Sequence, residues 1–224
     1  MKVLIFGATG MVGQGVLREC LRDAAVERVV TVGRTATGRK DPKLEEIVLA
    51  DLFAVQAVQD RLRGFDACFF CLGVSAVGMS EADYTRITHD LTVTIAALLV
   101  RLNPGMTFVY VTGAGTDTSE RGRFMWARVK GRTENALSAM PFRATFMFRP
   151  GFIQPLNGIV SKTAWYRAAY AITAPISGLL GRIAPAAVTT TENVGRAMIA
   201  VALNGYAKPV LGNEDINRVA TRRR

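Results

Sequence analysis

The chain opens on an apolar run, Val3-Leu4-Ile5-Phe6, and from there alternates between two kinds of stretch. Short β-branched or aromatic runs bounded by Gly, Asp or Pro read as strands, and longer stretches with apolar residues three and four apart read as helices. A helix is predicted from Gln14 to Arg22. Strands follow at Arg28-Val29-Val30-Thr31-Val32, ended by Gly33, and at Glu46-Ile47-Val48-Leu49, which leads into Asp51-Leu52. Residues 53–63 carry helical periodicity through Phe53, Val55, Ala57, Val58 and Leu62. Asp66-Ala67-Cys68-Phe69-Phe70-Cys71 predicts a fourth strand, stopped by Leu72-Gly73. Ser80 is placed to cap a long helix whose apolar positions run through Ile87, Leu91, Ile95, Leu98 and Leu99 and stop before Pro104-Gly105. Met106 to Val111 reads as the fifth strand, followed by a polar loop from Thr112 to Gly122 and a helix from Phe124 to Met140. Arg143 to Phe148 is the sixth strand, closed by Arg149-Pro150-Gly151.

This rhythm predicts an α/β protein: a doubly wound, mostly parallel sheet of the Rossmann type, with helices on both faces. Ligands of such sheets sit at the carboxyl ends of the strands. The final third departs from the rhythm. Phe152 to Ala187 is apolar and helix-prone but broken by Pro155, Pro175 and Pro185, with cations at Lys162, Arg167 and Arg182. It predicts a mainly helical extension on the substrate side, serving as a pocket or dimer helix; contact with a membrane surface through residues 152–187 is a second reading. Ala164 to Ile183 has the length of a membrane span, but two Arg and one Pro inside it argue against a clean one. Thr189-Thr190-Thr191-Glu192 then caps a helix through Val194, Ala197, Met198 and Val201, and Val210-Leu211 reads as a last short strand. No linker or composition break divides the 224 residues. One domain is expected, with a cofactor-binding core over 1–151 and C-terminal elements over 152–224.

Composition sharpens this picture in three places. Hydrophobic residues make up 50% of the chain, enough for a parallel sheet buried on both faces. The net charge of +10 raises the question of nucleic acid. The cations are scattered, however, apart from Arg34/Arg39/Lys40, Arg121/Arg123/Arg128 and the Arg222-Arg223-Arg224 tail, with no aromatic-interleaved basic stripe. No specific nucleic-acid partner is expected; an anionic small ligand is the simpler account. Cys68 and Cys71 have CxxC spacing, but within a strand their side chains fall on opposite faces, so these and Cys20 read as structural thiols. One His and no acidic cluster give a metal site no support. The first strand starts at the N-terminus, leaving no room for a signal peptide, and a cytoplasmic protein is expected.

The chemistry begins at Gly7-Ala8-Thr9-Gly10-Met11-Val12-Gly13. A strand, glycines spaced GxxGxxG, then a helix is the arrangement a dinucleotide's pyrophosphate requires: a tight turn, close backbone approach, and the free N–H groups of a helix N-terminus. Gly7, Gly10 and Gly13 with Thr9 and Met11 are assigned to the pyrophosphate. An NAD-selective site usually carries an Asp or Glu at the end of the next strand to accept the ribose hydroxyls. Here Gly33-Arg34-Thr35 stands instead, and a guanidinium with its forked donors suits a 2′-phosphate. NADP(H) is therefore expected over NAD(H).

With Phe6-Gly7-Ala8-Thr9-Gly10, Val32-Gly33-Arg34, Asp51, Cys71-Leu72-Gly73, Val129-Lys130-Gly131 and Phe148-Arg149-Pro150-Gly151, the chain resembles an atypical, epimerase-like short-chain dehydrogenase/reductase over about residues 2–217. It is most similar to the group containing the Tat-interacting oxidoreductase-like protein and its bacterial relatives. The resemblance implies that Asp51 and Leu52 flank the adenine, that Gly73 lines the cofactor, and that Pro150 and Gly151 sit beside the nicotinamide. It also implies a reaction centre: a Tyr four residues before a Lys, and a Ser or Thr at the end of the fifth strand. Lys130 matches the Lys, as holder of the nicotinamide ribose. Thr112 matches the hydroxyl, with Thr116 as substitute. The Tyr position is Trp126, whose indole donates a hydrogen bond but exchanges no proton near neutral pH. Either another group supplies the proton (Tyr84, Tyr110, His89 or a water held by Thr112) in an oxidoreductase or epimerase acting on an unidentified small carbonyl or hydroxyl substrate, or the protein binds NADP(H) without turnover as a regulatory or redox-reading module. A slipped match across the Thr112–Gly122 loop is the third reading.

Overall fold

The computed structural model describes residues 1–159 and 187–222, and in it the opening apolar run forms β1 (Lys2–Phe6), whose last four residues are fully buried. β2 (Arg28–Gly33) and β3 (Leu44–Val48) lie on one side of it; β4 (Ala67–Phe70), β5 (Thr107–Val111), β6 (Ala144–Phe148) and β9 (Val210–Leu211) lie on the other. The order β3-β2-β1-β4-β5-β6-β9 is parallel throughout. All seven strands therefore end on one edge, and the sheet reverses its winding between β1 and β4. This is the expected doubly wound sheet.

Helices cover both faces because each strand buries both of its own. On one side α1 (Met11–Arg22) packs with α5 (Thr191–Asn204) and α6 (Asn213–Thr221) over Val3, Ile5, Phe69, Val109 and Phe148. On the other, a 3₁₀ segment (Leu52–Leu62), α3 (Leu91–Leu102) and α4 (Met125–Ser138) cover Leu4, Phe6, Phe70, Phe108 and Tyr110. Each aliphatic or aromatic side chain fully buried here contributes roughly 1.5–3 kcal/mol. Cys68 packs in the second layer and Cys71 against the first, on opposite faces as strand alternation requires. Burial pushes the Cys68 thiol well up, and Cys71 to about 12.

The long helix after Ser80 is interrupted. Ser80 caps α2 (Glu81–Thr85), a π turn spans Arg86–Asp90, and α3 continues from Leu91. Residues 53–63 form 3₁₀ turns kinked at Ala54 and Val58 rather than one regular helix. The helix-prone reading of the final third fails at its start, since Phe152–Gln154 forms β7 and pairs in parallel with β8 (Val188–Thr190) as a separate two-stranded sheet. α6 also went unforeseen: Asn213 and Asp215 are buried beside Ile216, Val219 and Ala220, so its inward face mixes polar with apolar residues. The pocket, dimer and membrane readings of residues 152–187 fall mostly on 160–186, outside the described residues. Among the described residues no helix is long and apolar enough to cross a membrane.

Two glycines set how closely α1 meets the sheet. Gly7 turns with φ +81°, and a methyl group there would lie 2.5 Å from the Leu72 amide nitrogen. A methyl group on Gly13 would strike the Gly7 carbonyl oxygen. Gly13→Ala is expected to destabilise the fold by about 1–3 kcal/mol, because the obstruction is backbone and cannot rotate away. An unchanged urea midpoint would show that α1 has room to withdraw.

Candidate functional site

A cleft of about 710 Å³ opens on the carboxyl edge where the winding reverses. Its floor is the turn Gly7 to Met11. Gly10 caps α1 with extended backbone and no side-chain acceptor, and the first turn of the helix carries no acidic residue. The first-turn amides and the positive end of the helix dipole are thus left for an outside acceptor. Gly7 and Gly10 form the floor itself, whereas Gly13 lies beneath it, buried, and serves the approach of helix to strand.

One wall is the end of β2: Val32, Gly33, Arg34 and Thr35, with Thr37 beyond. Arg34 and Thr35 are exposed. Glu46 on β3 fixes this loop, accepting from the Thr37 amide at 2.6 Å and the Thr31 hydroxyl at 3.3 Å. The wall therefore presents the guanidinium and hydroxyl while the neighbouring carboxylate is held by its own donors. Asp51, Leu52 and Phe53 form the next section. Asp51 is not free to reach far: its Oδ1 accepts from the Phe53 amide at 3.0 Å, capping the 3₁₀ segment. Arg86 stands over the Phe53 ring at 5.6 Å, adding a cation beside this wall. Cys71, Leu72, Gly73 and Val74 after β4, with Ile87 and Leu91, complete the lining.

The other expected site residues gather elsewhere. Thr112, Lys130, Pro150 and Gly151 stand at the ends of β5 and β6 and on α4, and none lines this cleft. The Thr112 hydroxyl is buried and donates to Glu134 Oε1 at 2.7 Å. Lys130 donates from Nζ to the Thr112 carbonyl oxygen at 2.7 Å. Burial lowers the Lys130 pKa to about 8, against the opposing pull of Glu134. Pro150 passes its carbonyl to the Ala114 amide at 2.9 Å, and the Gly151 amide donates to Asn213 Oδ1 at 3.0 Å. Trp126 is half-buried beside Gly115, where a methyl group would meet its ring at 3.3 Å. Thr116 is buried and bonds the Gly113 carbonyl.

Of the substitute proton donors, Tyr84 and Tyr110 are buried in the core, and burial pushes the Tyr110 phenol well up. Neither lines the cleft. His89 is partly exposed, with Nδ1 2.9 Å from Asp90 Oδ1. Among the described residues no group of acidic, His and Cys side chains could hold a metal ion. Sequence reasoning missed Thr37, Phe53, Ile87 and Leu91 as walls, and missed Glu134 with Arg149 as a buried ion pair. The available signal for Glu134 was its place four residues after Lys130, on the same helix face.

Comparison with known proteins places this geometry. Residues 7–145 match a family described as NAD(P)H-binding. A curated relative, protein fmp52, mitochondrial, of Aspergillus niger is 30% identical over 188 residues, covering 81% of this chain and 76% of the relative. Its namesake in Emericella nidulans is 28% identical over the same shares. Those designations overturn the cytoplasmic expectation drawn from the sequence. Among solved structures, the Helicobacter pylori ADP-L-glycero-D-manno-heptose-6-epimerase superposes with a TM-score of 0.69 at 12% identity, over 99% of this chain and 81% of that one. The Bordetella bronchiseptica enzyme WbmF in complex with NAD+ gives 0.68 at 15% identity, over 99% and 76%. A short chain dehydrogenase family protein of Francisella tularensis gives 0.66 at 13%, over 96% and 98%. The fold is that of the short-chain dehydrogenases and epimerases.

Because its hydroxyl is committed to a buried carboxylate, Thr112→Val is expected to cost about 1–3 kcal/mol in chemical denaturation by leaving Glu134 short of a donor. A stability equal to the parent's would instead leave the hydroxyl available for chemistry.

Proposed function

The chain belongs to the NAD(P)H-binding family, and from that membership we propose that its cleft takes NADP(H) in preference to NAD(H), in the service of an oxidoreductase or epimerase acting on a small carbonyl or hydroxyl substrate. The observation that carries the preference is the β2 wall. Arg34 stands on it with Thr35, and the nearby Glu46 is occupied by Thr37 and Thr31. A guanidinium there gains charge-assisted hydrogen bonds from a 2′-phosphate and gains nothing comparable from two ribose hydroxyls. Gly7, Thr9, Gly10 and Met11 present main-chain amides to the pyrophosphate, with Gly13 supporting the turn from below. Asp51, Leu52 and Gly73 line the same cleft, where Asp51 and Leu52 would flank the adenine and Gly73 would line the cofactor. When bound, the nicotinamide supplies or accepts a hydride.

On the reaction side this chain's residues hold and orient. Lys130, fixed by the Thr112 carbonyl, offers a cation to the nicotinamide ribose. The Arg149-Pro150-Gly151 turn is pinned by Ala114, Glu134 and Asn213, which makes it a rigid flank. Trp126 favours a second reading. With an indole in place of a phenol, and Tyr84 and Tyr110 buried, the chain fits a binder of NADP(H) that reports on redox state without turnover. NADPH oxidation across a panel of aldehydes and ketones separates the two readings, since a binder shows none above the background of free NADPH.

Arg34→Ala is expected to weaken NADPH binding by roughly 1–3 kcal/mol while leaving NADH nearly unchanged. Isothermal calorimetry measures both. Equal losses for the two dinucleotides, or no loss, would remove Arg34 from the phosphate.

A further inference from the structure

A buried carboxylate stands where β5, β6 and α4 meet. Glu134 lies on α4 one turn beyond Lys130 and is 2% exposed. Arg149 meets it with Nε 3.0 Å from Oε1 and Nη2 2.5 Å from Oε2, and the Thr112 hydroxyl donates to Oε1 at 2.7 Å. The main chain of the same Thr112 accepts from Lys130 at 2.7 Å. One carboxylate thus joins the ends of β5 and β6 to α4, and Thr112 passes that constraint on to the ammonium.

Stability alone is a poor account of the arrangement. Taking a carboxylate and a guanidinium out of water costs about as much as their attraction returns, so such pairs are often replaceable by apolar side chains. Lys130 itself is half-buried and makes no ion pair among the described residues. Of the other charges on α4 and on the elements packed against it, Arg128 pairs with Glu81, Arg132 bonds the Thr85 hydroxyl, Asp83 accepts from Ser80, His89 pairs with Asp90, Arg86 lies over the Phe53 ring and Arg101 is exposed. Arg149 faces Glu134 directly. Glu134 is the charge that acts on the ammonium, against the effect of burial.

We propose that Glu134 is a positioning residue, which acts through Thr112 and its own negative charge to hold the Lys130 ammonium where an anionic dinucleotide passes the end of β5. The inference rests on the NADP(H) reading. It has a consequence that simple structural support lacks. Only the protonated ammonium attracts the cofactor, so affinity falls as pH rises through the Lys130 pKa near 8. Removing the carboxylate's charge lets burial act unopposed, and the fall moves to lower pH.

The test is NADPH affinity of the full chain, by cofactor fluorescence, across this pH range. Glu134→Gln is expected to move the midpoint down by roughly one unit and to weaken binding about fivefold at the parent's midpoint. Lys130→Met is expected to abolish the pH step, and the double variant to bind like Lys130→Met. Glu134→Asp, which keeps the charge but draws it back, is expected to leave the midpoint near the parent's while weakening binding at every pH. It also serves should the Gln variant not fold. A Gln variant whose midpoint stays put, an Asp variant whose midpoint drops, or additive losses in the double variant would each overturn the inference and leave the cofactor reading standing. A parent protein that binds no NADPH would overturn both. Lys130→Met binding like the parent would remove Lys130 from the cofactor, and Glu134's role with it.

Discussion

The Gly7 carbonyl leaves no space for a side chain on Gly13, and the main chain of Cys71 and Leu72 leaves none on Gly7. These contacts bring the first turn of α1 down onto the ends of β1 and β4, where the winding of the sheet reverses. From behind, α1 is held with equal closeness by a helix about 180 residues later in the chain. Gly15 abuts the main chain of Thr191, and Gly195 abuts the Glu19 side chain. The buried Glu19 carboxylate is shared by Arg18 and Arg196. The amides on the floor of the cleft therefore owe their placement to α5 as much as to the loop that carries them.

Two cations stand beside the carboxyl ends of β2 and β5, and each lies near a glutamate that does not neutralise it outright. At β2, Glu46 holds the Thr37 amide and so shapes the loop bearing Arg34. At β5, Glu134 holds the Thr112 hydroxyl and Arg149, and so shapes the site of Lys130.

What was legible in the sequence follows the range over which local rules operate. The strands, the glycine turn, the Ser80 and Thr190 caps and the split facing of Cys68 and Cys71 all depend on spacings of a few residues, and the structure bears these out. The start of α1 at Met11 rather than Gln14 is an end effect of the same rules, since a glycine can cap a helix without announcing it. The π turn at Arg86–Asp90 and the kinks at Ala54 and Val58 were not legible. Helical periodicity continues across such interruptions, and only packing against the sheet selects them.

The sequence by itself determined the order of strands and helices as far as β6, the cleft's floor and its basic wall, because periodicity and turn chemistry are short-range. The pairing of Phe152–Gln154 with Val188–Thr190, the commitment of the Thr112 hydroxyl to Glu134 and the hydrogen bond from the Gly151 amide to Asn213 were decided only by tertiary structure. Each depends on which buried polar group meets which across tens of residues. That choice is fixed by the need to satisfy every donor and charge once water is excluded.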